Sequence, residues 1–97
     1  MKVLLARYQV KPGHREQVEQ SLARMAALVA RDEPGCRLYQ VLRSLESDDE
    51  LVLYEHYEDE AALEAHRRTE HFQEIVEGEI LPLLERRDRE MLELVLG

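Results

Sequence analysis

Tryptophan and asparagine are absent from this 97-residue chain, and phenylalanine and cysteine occur once each. A single cysteine, Cys36, leaves no internal disulfide to form. Positive charge is also in deficit. Against 21 acidic residues stand 13 lysines and arginines, a net charge of −8. That balance repels phosphate backbones and anionic lipid, which argues against a nucleic-acid or membrane partner. No apolar run is long enough to span a bilayer. The opening MKVLLARYQV has one lysine and a short apolar stretch, less than a signal peptide needs, so a cytoplasmic protein is expected. The four glycines form no phosphate-cradling loop, and no nucleotide cofactor is expected.

What remains is a strongly patterned chain, read as one domain over residues 1–97. A domain of this size buries roughly two thirds of its unfolded surface, so pairing with a second copy would help it. Lys2 to Val10 is apolar and partly alternating, and Lys11-Pro12-Gly13 stops it: a strand, then a turn. From His14 to Arg31, Val18, Leu22, Met25 and Val29 fall on one helical face. Asp32-Glu33-Pro34-Gly35 ends that helix. Cys36 to Leu45 and Glu50 to Glu58 read as a hairpin of strands around Glu46-Ser47-Asp48-Asp49. In the first of these, Cys36, Leu38, Gln40 and Leu42 share one face and Tyr39, Val41 and Leu45 the other.

Asp59 is placed to cap a short helix from Glu60 to about Arg68, and Thr69 to cap the next. That next helix presents Phe72, Ile75, Val76, Ile80, Leu83 and Leu84 on one face, with Pro82 kinking or ending it. Arg89 to Leu96 reads as a last strand. Right-handed crossovers then give a ferredoxin-like βαββαβ fold of the α+β class, helices on one face of an antiparallel sheet. The last strand has apolar residues on both faces, with Met91 and Val95 on one and Leu92, Leu94 and Leu96 on the other. A sheet apolar on both faces is buried on both, and a homodimer is the simplest cover.

Three of the four histidines, His56, His66 and His71, fall between Tyr54 and Phe72 beside most of the aromatic rings. Several motifs here resemble the antibiotic biosynthesis monooxygenase family of dimeric α+β barrels. Glu33-Pro34-Gly35-Cys36 with Leu38 and Tyr39 is similar to its acidic-x-Gly-x-x-x-Tyr approach to the second strand. Tyr54-Glu55-x-Tyr57 is similar to its glutamate-x-aromatic strand end. Asp59-x-x-Ala62 and His66-x-x-Thr69-x-His71-Phe72 are similar to its short helix and helix–helix joint. One departure is Tyr57, where many members carry tryptophan.

The resemblance implies a pocket between helices and sheet near that joint. It also implies a choice of chemistries. These are cofactor-free oxygenation of phenols or quinols with dioxygen, quinol oxidation, haem degradation, and isomerisation of a phosphorylated sugar. Haem degradation would resemble members with a pocket tryptophan and asparagine, which this chain lacks.

Within such a pocket, His66 has two readings. It is the catalytic general base or substrate hydrogen-bond partner, since its proton exchanges near neutral pH. Alternatively its ring locks the joint by satisfying a helix-end group. His71, beside the Thr69 cap, favours the structural role. Glu55, if it lies under the helices, must be paired, with Arg43, Arg7 or a pocket histidine as candidates. Tyr39, Tyr57 and Phe72 either stack on a flat ligand or fill core. The candidate substrate-binding set is therefore Tyr39, Glu55, Tyr57, His71 and Phe72.

No HExxH or HxxxH pair is present, so no metal is expected. Neither is any cofactor. The expected partners are a small aromatic or enol substrate and dioxygen. An isomerase of a small, phosphorylated or unphosphorylated carbonyl compound, or a non-catalytic binding protein, is the alternative. For a phosphate substrate, no convergent basic patch is evident in the sequence.

Overall fold

A computed structural model describes residues 1–97. Strand β1 (Lys2–Val10) leads through a turn into helix α1 (Arg15–Asp32). Gly13 sits in that turn at φ 84°, a left-handed conformation that glycine adopts without the Cβ clash. Strands β2 (Cys36–Arg43) and β3 (Glu50–Tyr57) form the expected hairpin. Helix α2 (Glu60–Arg68) follows, its first turn capped by Asp59, whose carboxylate accepts the Ala62 N–H at 2.8 Å.

The chain then departs from the expected α-helix. Phe72–Ile80 is a π-helix, and Leu81–Leu83 a single 3₁₀ turn that contains Pro82. The Leu81 N–H bonds Val76 O, five residues back, which sets the wider turn. Ile75, Val76 and Ile80 are buried as expected. Leu83 and Leu84 fall past the helix, in the 3₁₀ turn and at the start of the last strand.

That strand, β4, spans Leu84–Glu93, not Arg89–Leu96. The reason is register. β4 runs antiparallel to β1 from Val10 opposite Leu84 to Lys2 opposite Glu93, so the 3₁₀ turn delivers the chain straight onto the sheet edge. Most of β4 is therefore charged, and Val95 and Leu96 lie beyond it, 84% and 87% exposed. Charge along an edge strand discourages edge-to-edge pairing.

The sheet order is β2-β3-β1-β4, all neighbours antiparallel, with the helices on one face: the ferredoxin-like arrangement. Under the helices lie Leu4, Ala6, Tyr8 and Val10 of β1 and Leu51, Leu53, Glu55 and Tyr57 of β3. Val18, Leu22, Met25 and Val29 of α1 seal the main core from above. On β2 the register puts Tyr39 and Val41 beneath the helices and Leu38, Gln40 and Leu42 on the open face. An irregularity between Cys36 and Leu38 breaks the alternation, so Cys36 turns inward against Leu4, Tyr57 and Leu63.

The open face carries Leu5, Leu38, Leu42, Val52 and Tyr54. Apolar residues do occupy the second face, as expected from the sequence, but mainly on β1, β2 and β3, with Leu92 as the contribution of β4. No helix is long and apolar enough to cross a membrane.

Candidate active site

Glu33 ends α1. Its N–H bonds Val29 O at 2.9 Å, and its own carbonyl accepts the Cys36 N–H at 3.0 Å across the Pro34-Gly35 turn. Pro34 forces Glu33 out of helical geometry, which turns the chain there. Across the sheet end, α2 stops at Arg68. Thr69 then makes the joint. Its hydroxyl donates to His66 O at 2.8 Å and accepts the Phe72 N–H at 3.1 Å. The break redirects the chain so that two histidines five positions apart meet one carboxylate. His66 Nδ1 lies 2.8 Å from Glu33 Oε1, and His71 Nε2 lies 2.6 Å from Glu33 Oε2.

All three side chains are largely shielded, at 4% for His66, 9% for Glu33 and 11% for His71. Burial pushes the Glu33 carboxyl up, but hydrogen bonds from His66 and His71 outweigh it and hold the group below the ordinary glutamate value. An ionised carboxylate can only accept. Neutral His66 therefore carries its proton on Nδ1 and leaves Nε2 as a free base. Nε2 lies on the Glu55 side, 3.9 Å from Glu55 Oε1.

Glu55 is buried and accepts a hydrogen bond from the Tyr57 hydroxyl. Burial drives its carboxyl above the ordinary value despite Tyr57 and His66, which pull it down. Neither candidate arginine reaches it. Arg43 pairs with Glu19 at 2.7 Å, and Arg7 is on the open face. Rings enclose His66, with centroid distances of 5.2 Å to Phe72, 5.3 Å to Tyr57 and 6.2 Å to Tyr39.

His66, Glu55, Tyr39 and Phe72 line one cavity of about 20 Å³ beneath the helices, together with Tyr8 and the arginines Arg67, Arg87 and Arg89. Tyr57 and His71 do not line it. Tyr57 donates to Glu55, and His71 bonds Glu33. The room is that of about one water molecule. A larger, shallower groove of about 390 Å³ runs between α1 and β2 and shares Tyr39 with the cavity. Its charged groups, Glu19 and Arg43, are already paired with each other, so it offers no free acid or base.

The other candidate nucleophiles and bases are held protonated. Burial, then Glu55, pushes the Cys36 thiol up to about 11 and Tyr8 up to about 12. The same two causes drive the Tyr39 and Tyr57 hydroxyls upward. Of the acid–base groups lining the cavity, that leaves His66 and Glu55. His56 points to the open face, edge-on to Tyr54 at 4.9 Å. Glu33, Tyr8, Arg87 and Arg89 were not among the sequence candidates for the site. Glu33 was legible as a turn residue and as the acidic position of a family-like motif, but not as a partner of the histidines, and nothing in the local sequence places β4 arginines opposite α2.

The antibiotic biosynthesis monooxygenase family model matches residues 1–78. The chain belongs to this family. The match spans Glu33, Glu55, His66 and His71, but stops before β4. Solved structures extend the likeness to the whole fold. A Caulobacter crescentus protein assigned to antibiotic biosynthesis monooxygenases superposes at TM-score 0.91 and 27% identity, covering 98% of this chain and 90% of that one. A Pseudomonas aeruginosa protein gives 0.86 at 30% identity, over 98% and 94%. One from Mycobacterium tuberculosis gives 0.88 at 29% identity, over 99% and 96%. No curated protein sequence matches this chain. Family membership establishes the fold more firmly than the reaction, because one fold hosts many chemistries.

Proposed function

We propose that this protein is a cofactor-independent monooxygenase or quinol oxidase acting on a small aromatic or enol substrate, with His66 as general base. The observation that carries the reading is the orientation of His66. Glu33 takes up Nδ1, so in the neutral ring Nε2 is the basic nitrogen; it lies toward Glu55, and His66 lines a cavity walled by rings. A substrate hydroxyl passes its proton to Nε2. Glu33 then stabilises the imidazolium, and the substrate anion donates an electron to dioxygen. For a quinol, two electrons and two protons pass to dioxygen, giving quinone and hydrogen peroxide. For a phenol, one oxygen atom is added and the other leaves as water, the substrate supplying all four electrons and ending as the quinone. The buried, ring-lined site keeps bulk water from the intermediate. The protein acts as a homodimer in the cytoplasm on this reading; the apolar open face supports the former and composition the latter.

One observation favours an isomerase as the second reading. Glu55, with its raised carboxyl, and His66 are two proton-handling groups 3.9 Å apart on one cavity, as movement of a proton beside a carbonyl requires.

Oxygen uptake against a panel of hydroquinones and phenols tests the first reading, with His66→Asn as the variant. Asparagine keeps a donor near Glu33 and removes the Nε2 base. Turnover lower by on the order of a hundredfold or more, in a variant that still melts cooperatively, is the expected result. Full activity per folded molecule in His66→Asn sinks the role of His66. No oxygen uptake, with deuterium exchanged from solvent into a carbonyl substrate under nitrogen, moves the assignment to the isomerase.

A further inference from the structure

Arg87 and Arg89 alternate along β4 and point to the helix-covered side of the sheet, opposite Tyr8 and Ala6. Arg67 reaches the same cavity from α2. The three cations come from segments about twenty residues apart in sequence and meet only because the last strand doubles back along β1. In a chain with a net charge of −8, arginines readily find carboxylates. Arg24 pairs with Glu79, Arg37 with Glu58, Arg43 with Glu19 and Arg86 with Asp88. Arg67 also has a partner, Glu64 at 3.3 Å. Arg87 and Arg89, like Arg7 and Arg68, have no carboxylate partner; what sets them apart is the cavity they line, where Arg87 bonds the Tyr8 hydroxyl.

The buried carboxylate does not account for them. What offsets the burial of Glu55 is Tyr57, His66 and Arg67, not Arg87 or Arg89. Crowding is visible on Arg89. Partial burial, then Arg87 and Arg67, lowers its guanidinium below the ordinary value. Mutual repulsion of like charges at one spot costs stability unless something anionic is received there. The position also suits entry. Most of the cavity wall is buried, whereas Arg87 is half-buried and Arg89 exposed, so the cavity meets solvent on the arginine side.

We propose that Arg87 and Arg89, assisted by Arg67, bind an oxyanion substituent on the substrate, and that the enzyme acts on small phenols or enols bearing a carboxylate. Planar guanidinium forks match a carboxylate in two parallel hydrogen bonds. With the anion held at the β4 lip, the ring and its hydroxyl point inward, toward His66 Nε2. The cavity in its present state admits about one water, so a ring enters by displacing the long, unpaired arginine stems, which carry no ion pair to break. The identification of the substrate rests on the oxidase reading, but the anion site does not.

Three probes separate these points under nitrogen, where nothing turns over: hydroquinone, 2,5-dihydroxybenzoate and 4-hydroxyphenyl phosphate. Calorimetric titration is expected to show the carboxylate binding on the order of tenfold or more tighter than the neutral ring, with the gap shrinking as salt is raised. Arg87→Gln with Arg89→Gln is expected to close that gap. Arg7→Gln with Arg86→Gln, which removes the same charge from the open face, is expected to leave it. Tighter binding of the phosphate than of the carboxylate keeps the oxyanion site and overturns the carboxylate assignment. Equal affinity for all three probes overturns the proposal, as does a preference that survives the Arg87/Arg89 change. Oxygen uptake then tests the other reading separately. Anion preference without oxygen consumption removes the oxidase and keeps the site; oxygen consumption without anion preference does the reverse.

Discussion

Glu33 and Glu55 are both shielded carboxylates near His66, and their surroundings push them in opposite directions. Glu33 accepts from two imidazoles, while Glu55 has one phenol. Their effects on stability against pH are therefore opposite. The folded pKa of Glu33 is below the ordinary value, so its contribution is present above the unfolded pKa of about 4.3 and is lost as pH falls through the lower folded value. The folded pKa of Glu55 is above it, so its contribution is present at acid pH and is lost as pH rises through the raised value. Glu33→Gln is expected to cost roughly 1–3 kcal/mol at pH 7, the scale of hydrogen bonds to a charged group, with the gap narrowing toward pH 3. Glu55→Gln, still able to accept from Tyr57, is expected to melt higher than the parent at pH 7 and to converge with it at acid pH. Thermal melts of both variants from pH 3 to pH 8 check the two signs. A Glu55→Gln protein that melts lower at pH 7 means its charge is needed by the fold.

At the level of elements, the site depends on how closely α2 approaches the start of β2. Gly35 governs that approach. A Cβ there would stand 2.7 Å from the Ala62 Cβ on α2, closer than packed atoms tolerate. The φ of Gly35 is not left-handed, so the constraint is contact, not backbone strain. Gly35→Ala is expected to cost roughly 1–3 kcal/mol, the usual scale of overpacking, and to shift α2 with its His66. Ala62→Gly made alongside should recover part of that loss beyond what its own helix cost predicts, because it removes the atom in the way. Additive losses in the double-mutant cycle, measured by urea titration, would show that the two positions do not touch. The sequence showed Gly35 as punctuation after a helix. It could not show the helix packed on top of it, since that neighbour arrives 27 positions later.

On the scale of the whole molecule, the apolar residues of the open face carry an expectation about assembly. Leu42 is 48% exposed in the single chain, and Leu5, Leu38, Val52 and Tyr54 share its face. An apolar patch of this kind is expected to be covered by a second copy. Sedimentation at micromolar concentration is expected to give twice the mass of an 11.4 kDa chain. Val52→Glu, in the middle of that face and remote from His66, is expected to raise the dissociation constant at least tenfold. A parent that sediments as a monomer throughout dilution refutes the expectation.

The sequence by itself determined the local matters: where β1, β2, β3, α1 and α2 begin, which residues of α1 turn inward, the Asp59 cap, the Thr69 break, and the βαββαβ order. Each depends on periodicity or on a hydrogen bond spanning a few residues, so neighbours in sequence suffice to specify it. The concentration of histidine around residues 54–72 likewise marked the stretch in which the structure brings His66 and His71 onto one carboxylate. Tertiary structure decided what those histidines do. Glu33 meets His66 across 33 positions and His71 across 38, and Arg87 meets the cavity only through the register of β4 on β1. That register follows from the π-helix and the 3₁₀ turn, which hand the chain to the sheet edge five residues earlier than the apolar pattern of 89–96 suggests. Pairing of that kind is set by backbone hydrogen bonds between distant strands and by the length of what joins them, and no local pattern encodes it.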